Sequence, residues 1–177
     1  MRTEYIFKEE MRHILAALMP ANRLALEVSL ETGLRIGDVL RLKTDAIASR
    51  FSVQEEKTGK RRRVFLSADL LERCKKMAGP VYVFSNRLDG RRHRTRQAVW
   101  KDLKRVCRIF RLHMNLAPHS CRKIYAVEAY KRYGGDMKKV QKLLNHDNEA
   151  VTMLYCLADE LTRRRNSGMM KRMEARV

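Results

Sequence analysis

Between residues 51 and 66 the chain changes its repeat, and that change excludes an all-helical fold. Phe51-Ser52-Val53-Gln54-Glu55 alternates apolar with polar, Lys57-Thr58-Gly59-Lys60 supplies a glycine-bearing turn, and Arg63-Val64-Phe65-Leu66 resumes the alternation. A period of two around a turn predicts a β-hairpin. On either side the period is helical. Met11, Ile14, Leu15 and Leu18 predict a helix over 8–19 that Pro20 stops, and Leu24 and Val28 predict a second over 21–32 closed by Gly33. A short helix is expected over 36–42. Ser67 suits the cap of a helix through Met77, Gly79-Pro80 breaks it, and Val81-Tyr82-Val83-Phe84 predicts a third, more buried strand.

The rest of the chain reads as helix. A basic loop over 87–94 leads to a helix over 95–110, Pro118 opens another that ends at Gly134-Gly135, and Asp136 suits the cap of Met137 to Leu144. Asn145, Asp147 and Asn148 then interrupt the pattern before a last helix over 150–157. The expectation is one mixed α/β (α+β) domain over 1–177, mostly helical, with a small three-stranded antiparallel sheet. At 45% hydrophobic residues the chain can bury a core despite 33% charge. The four cysteines, Cys74, Cys107, Cys121 and Cys156, form no C-x-x-C pair, so a zinc ribbon and a disulfide framework are both disfavoured and the thiols read as reduced packing residues.

Charge points to the partner. Lys and Arg number 39 against 20 Asp and Glu, a formal net charge of +19, and the pI is about 10.3. Such a balance is the footprint of a polyanion binder, a nucleic acid first. A membrane surface is the weaker alternative, because the cations are spread over helices, hairpin and loops and are not gathered on one amphipathic helix. No run approaches the roughly 18 apolar residues of a membrane span, and the amino end lacks the apolar core of a signal peptide. A cytoplasmic, nucleoid-associated location is expected.

The chemistry-bearing residues are few. His119 and Arg122 are three apart near the start of one helix, so both face the same way, and the free amides of that helix end favour an anion beside them. Taken alone, H-x-x-R is more often an exposed basic helix. His146 and Tyr155 are nine residues apart, which at about 100° per residue would put them on opposite faces of one helix. They can share a site only if the helix breaks between them, where Asn145, Asp147 and Asn148 stand. A lone Tyr155 would read as a half-buried aromatic with a wet hydroxyl. Arg35 follows Gly33 at a helix junction, with a planar fork suited to phosphate oxygens, and Lys57 sits at the mouth of the hairpin with Lys60, Arg61 and Arg62 as neighbours. The acidic residues, Asp45, Glu55, Asp69 and Asp102 among them, form no cluster in sequence of the kind a two-metal nuclease needs, so neither metal nor cofactor is called for.

Taken together, Thr32-Gly33-Leu34-Arg35-Ile36-Gly37-Asp38, then Pro118-His119-Ser120-Cys121-Arg122, then Leu143-Leu144-Asn145-His146 and Tyr155 closely resemble the catalytic domain of the tyrosine recombinases, the phage-integrase family. The resemblance covers almost the whole chain. It implies the integrase-like fold of DNA breaking-rejoining enzymes and a site-specific recombinase that works through a covalent 3′-phosphotyrosine. It implies that Arg35, Arg122 and His146 hold the scissile phosphate, Tyr155 attacks, Lys57 is the general acid for the leaving 5′ oxygen, His119 assists proton transfer and Asp38 supports the site. Lys60, Arg61, Arg62, Arg91, Arg92, Arg94 and Arg96 are expected to touch DNA, by default at phosphates. A homo-oligomer on DNA, a tetramer in this family, is implied, with the tail over 158–177 docking on a neighbouring protomer. Most members carry an amino-terminal helical DNA-clamping domain that this chain lacks, which sets the expectation of a cut-out domain. Asn145 departs from the glycine usual before the histidine. Two other readings stand beside this one: a non-catalytic DNA-binding accessory protein, and a type IB topoisomerase-like activity.

Overall fold

A computed structural model describes residues 3–146, 149–160 and 162–163. Helix α1 (Lys8–Ala16) buries Met11, Ile14 and Leu15, and α2 (Pro20–Thr32) begins with a proline, whose missing N–H costs nothing in a first turn. The second helix is central: Leu24, Ala25, Leu26 and Val28 are all buried. It ends at Gly33, with φ 67°. That left-handed backbone favours glycine, and a Cβ there would lie 2.3 Å from Cδ1 of Tyr125. The turn therefore requires glycine twice over.

Helix α3 (Ile36–Leu40) leads to the hairpin β1 (Arg50–Gln54) and β2 (Arg61–Phe65). The strands pair antiparallel, with Phe51 opposite Val64 and Val53 opposite Arg62. Arg62 and Val64 face inward, while Arg61, Arg63 and Phe65 face out. After the hairpin come α4 (Ala68–Met77), α5 (Arg96–Ile109), α6 (His119–Arg132), α7 (Met137–Leu144) and α8 (Glu149–Cys156). Thr95 caps α5 by accepting from the Ala98 amide at 3.1 Å, and Asp136 caps α7 by accepting from Lys139 at 3.0 Å. Ser67 precedes α4 without a side-chain cap; its hydroxyl donates instead to Glu31 of α2 at 2.9 Å.

The predicted third strand does not form, and the sheet among the described residues has two strands. Val81 to Phe84 is engaged piecemeal: Lys43 bridges Tyr82, Ser85 bridges His93, the Thr44 amide donates to Val81, and the Val83 amide donates to Leu42 at 2.9 Å. Val81 and Val83 bond to the segment 42–44, Tyr82 accepts from the Gly79 amide and Phe84 accepts from the Arg94 amide, so the pairing stays at isolated bridges and no ladder grows. The apolar run correctly signals burial, with Val83 and Phe84 at 0% and 1% exposure; burial and strand pairing are separate properties.

Two apolar clusters organise the molecule. The larger joins α1, α2, α3, α5 and the inner face of the hairpin through residues such as Met11, Leu26, Leu34, Val64 and Leu103. The smaller, Ala126, Ala129, Val140, Leu144 and Cys156 with Tyr125 and Tyr155 packed against it, locks α6, α7 and α8 together. All four cysteines are buried and unpaired. Among the described residues no helix is long and apolar enough to cross a membrane. Asp147, Asn148 and the tail beyond Arg163 lie outside the described residues.

Candidate active site

The site is assembled on Arg122, a charged side chain at 1% exposure. From the second turn of α6, its Nη1 donates to the Gly33 carbonyl at 2.6 Å and its Nη2 donates to the Leu144 carbonyl. It thus straps the end of α2 to the end of α7. A buried guanidinium is tolerable only when its donors are satisfied, yet Nε has no hydrogen-bond partner. Burial, then Arg35 and Arg62 nearby, push its pKa down to about 10, so it stays charged at neutral pH. Arg122 also lines a cavity, where a guanidinium held charged favours an anion.

Arg35 stands across that cavity as the residue before α3, its guanidinium donating from Nη1 to Glu55 at the head of the hairpin. Arg35, Lys57, Arg96, His119 and Arg122 line one cavity of about 690 Å³. Asp38 lines it too, with Oδ1 accepting from the Glu56 amide at 2.9 Å and Oδ2 buried without a partner. Burial is the main cause of its raised pKa, and Glu55 adds to it.

The phenol of Tyr155 is hydrogen-bonded to His119 Nε2 and is stacked edge-on between two imidazoles, with ring centroids 5.5 Å from His119 and 5.3 Å from His146. Tyr155 reaches this point because α7 and α8 are separate helices packed together. Asn145 ends α7 at φ 49°, the left-handed conformation that asparagine tolerates best after glycine. The departure from glycine therefore keeps the turn. His146 is then held by its Nδ1, 3.0 Å from Oγ1 of the fully buried Thr152 on α8. Burial first, and the two arginines after it, lower both histidines to about 4, with Lys123 and Lys57 adding to the effect on His119. Both imidazoles are neutral at pH 7. Burial raises the Tyr155 pKa, with Arg122 and Arg35 opposing.

Six separated residues thus meet, but the expected DNA-contact residues divide. Lys60, Arg61, Arg91, Arg92 and Arg96 are exposed. Arg94 is half-buried, its Nε unpartnered and its pKa lowered mainly by burial. Arg62 is not a surface residue: its side chain is 7% exposed, pairs with Glu55 at 3.6 Å, and donates to the carbonyls of Thr32 and Gly33. The alternation of β2 places position 62 on the inner face with Val64, a signal already present in the hairpin pattern. Glu55 and Thr152 were missed by sequence reasoning altogether, as was Trp100, 46% exposed at the cavity lining. Among the described residues no three His, Cys, Asp or Glu side chains are grouped to hold a metal ion.

This chain belongs to the phage integrase family, whose pattern matches residues 4–161. Among its relatives, the tyrosine recombinase XerD of Ralstonia nicotianae is 30% identical over 150 residues, covering 76% of this chain and 47% of the relative. XerD of Listeria innocua is 28% identical over 144 residues, covering 73% and 48%. The chain spans about half the length of these curated relatives. A lambda integrase dimer bound to a core site superposes with a TM-score of 0.73 at 22% identity, covering 88% of this chain and 60% of that one. The isolated lambda integrase catalytic core superposes at 0.69, also 22% identical, covering 82% and 92%. The fold is therefore the integrase catalytic fold, helical with a small antiparallel sheet.

Proposed function

We propose that this chain is the catalytic domain of a site-specific tyrosine recombinase that cuts and rejoins double-stranded DNA. The observation that carries it is the placement of one phenol, hydrogen-bonded to a neutral histidine, beside a cavity lined by two arginines. In this reading a strand's phosphate sits between Arg35 and Arg122, where fixed positive groups meet the charge developing on the phosphoryl oxygens. Tyr155 Oη bonds to phosphorus as its proton passes to Nε2 of His119; the phosphorus–5′-oxygen bond breaks, and that oxygen takes a proton from Lys57. His146, oriented by Thr152, donates its other ring nitrogen to a phosphate oxygen. The covalent 3′-phosphotyrosine keeps the bond energy, so another strand's 5′ hydroxyl can reverse the step.

The neighbours in fold include a lambda integrase tetramer bound to a Holliday junction, which supports a homotetramer on DNA as the working assembly. Location follows the substrate, with the cytoplasmic nucleoid as the expected site. A nicked suicide duplex that traps the covalent intermediate tests the reading on a denaturing gel. The wild-type chain gives a shifted protein–DNA band that persists in EDTA, and Tyr155→Phe gives none while keeping duplex affinity within about twofold, because only one hydroxyl is lost. An undiminished band from Tyr155→Phe would falsify the assignment. Relaxation of a supercoiled plasmid lacking any partner site would shift it to topoisomerase-like activity.

A further inference from the structure

Glu55 is the most enclosed carboxylate near the site, at 0% exposure, and nothing in the reaction above uses it. Its Oε2 accepts from Arg35 Nη1 and from the Thr58 hydroxyl at 3.1 Å. Its Oε1 lies 3.6 Å from Arg62 Nη1, within ion-pair range though too long for a hydrogen bond. Arg62 in turn donates to the Thr32 and Gly33 carbonyls, and Gly33 is the carbonyl that also receives Arg122. One carboxylate and one peptide group thus fix both anion-holding arginines.

Charge accounting separates the roles of the two arginines on Glu55. Arg62 and Glu55, with side chains 7% and 0% exposed, form a buried pair that neutralises itself. Arg35, with 21% of its side chain exposed and lining the cavity, uses one of its five N–H donors on Glu55 and keeps four. It is oriented without being consumed. Resting on the function proposed above, we propose that Glu55 is a positioning residue: braced by Arg62, it aims the Arg35 guanidinium at the scissile phosphate and couples that aim to the hairpin bearing Lys57. Lys57 lies two residues beyond Glu55, so one hairpin sets both the phosphate clamp and the acid that serves the leaving oxygen.

The test is a double-mutant cycle between Glu55→Gln and Arg35→Ala, read on single-turnover covalent complex formation and on inorganic phosphate affinity by calorimetry. Glu55→Gln should slow cleavage by about 10- to 100-fold, the scale of a catalytic group misplaced by roughly 1 Å, with duplex affinity within about threefold. In the Arg35→Ala background the same change should add less than about twofold, since it acts through a group already removed. If Glu55→Gln alone unfolds by stranding Arg62, the variant Glu55→Gln with Arg62→Met removes both buried charges and should show the same rate loss at a near-normal melting temperature. Wild-type cleavage by Glu55→Gln, or an equal loss with and without Arg35, overturns the proposal. If even the wild-type chain forms no covalent complex, the recombinase reading fails, and Glu55 is judged on phosphate affinity: a constant unchanged by Glu55→Gln overturns it.

Discussion

Nε2 of His119 and the hydroxyl of Tyr155, 36 residues apart in the chain, share a hydrogen bond with their rings crossed at 73°. The pair brings α6 and α8 to one point, and the smaller apolar cluster holds them there. Since burial keeps His119 neutral at pH 7, its ring nitrogen is free to accept the phenolic proton in the proposed reaction. Replacing His119 with Ala should slow covalent complex formation by about 10²- to 10³-fold, the usual share of a positioned proton acceptor. Duplex affinity, measured by fluorescence anisotropy, should stay within about threefold.

Stability should fall as the solution is acidified below neutrality. His119 and His146 bind protons at about 4 in the folded chain against 6.5 for free imidazole. Between those values the unfolded chain holds more protons, so the folded state is at full stability above pH 6.5 and loses it as pH drops towards 4. Asp38, with its raised pKa, titrates in the opposite sense, nearer the acid end. Urea midpoints at pH 7.5 and 5.0 should therefore differ in the wild type, and the double variant His119→Gln, His146→Gln should narrow the gap. An unchanged gap would refute the burial argument.

Binding of a phosphodiester reverses that shift, because an anion beside both imidazoles favours their charged forms. Duplex binding at pH 5.5 should take up protons. Calorimetric enthalpies measured in buffers of different ionisation heat report the uptake directly, and it should vanish in the same double variant.

Gly33 should not accept even a methyl group. Its left-handed φ penalises any side chain by about 1–2 kcal/mol, and the added Cβ meets the Tyr125 ring at 2.3 Å. The same peptide carries the carbonyl that anchors Arg122. Gly33→Ala should thus lower unfolding free energy by more than about 2 kcal/mol and depress cleavage beyond what lost folded protein explains, with chemical denaturation and single-turnover assays read together.

Arg122→Lys tests whether this cation is a structural strut beside its proposed role on the phosphate. A point-like ammonium on a flexible stem cannot serve the Gly33 and Leu144 carbonyls with a guanidinium's planar fork. A loss of about 3–5 kcal/mol follows from breaking such a buried charged arrangement. Arg35→Lys, at a more exposed position, should cost far less stability while still impairing cleavage.

Salt dependence separates surface cations from buried ones. Lys57→Ala or Arg91→Ala, each removing an exposed cation, should reduce the slope of log affinity against log salt by about 0.9 if one phosphate contact is lost. Arg62→Met should leave the slope unchanged, since its charge is already paired inside.

The helices, the hairpin, the glycine at position 33 and the break between His146 and Tyr155 were legible because periodicity, caps and backbone handedness are local properties, carried by a few neighbouring residues. Family resemblance picked out, in the same local texts, the residues that the fold gathers at the candidate site. What only the tertiary structure decided was every partnership across the chain. The hairpin alternation turns Arg62 inward with Val64, but folding chose the groups that meet its guanidinium, Glu55 and the Thr32 and Gly33 carbonyls; Glu55 looks like any surface acid, yet folding closes two arginines over it. Val81 to Phe84 carries strand-like composition, but its hydrogen bonds went to three separate segments. Burial and charge pairing depend on what arrives from distant parts of the chain, and no window of neighbouring residues holds that information.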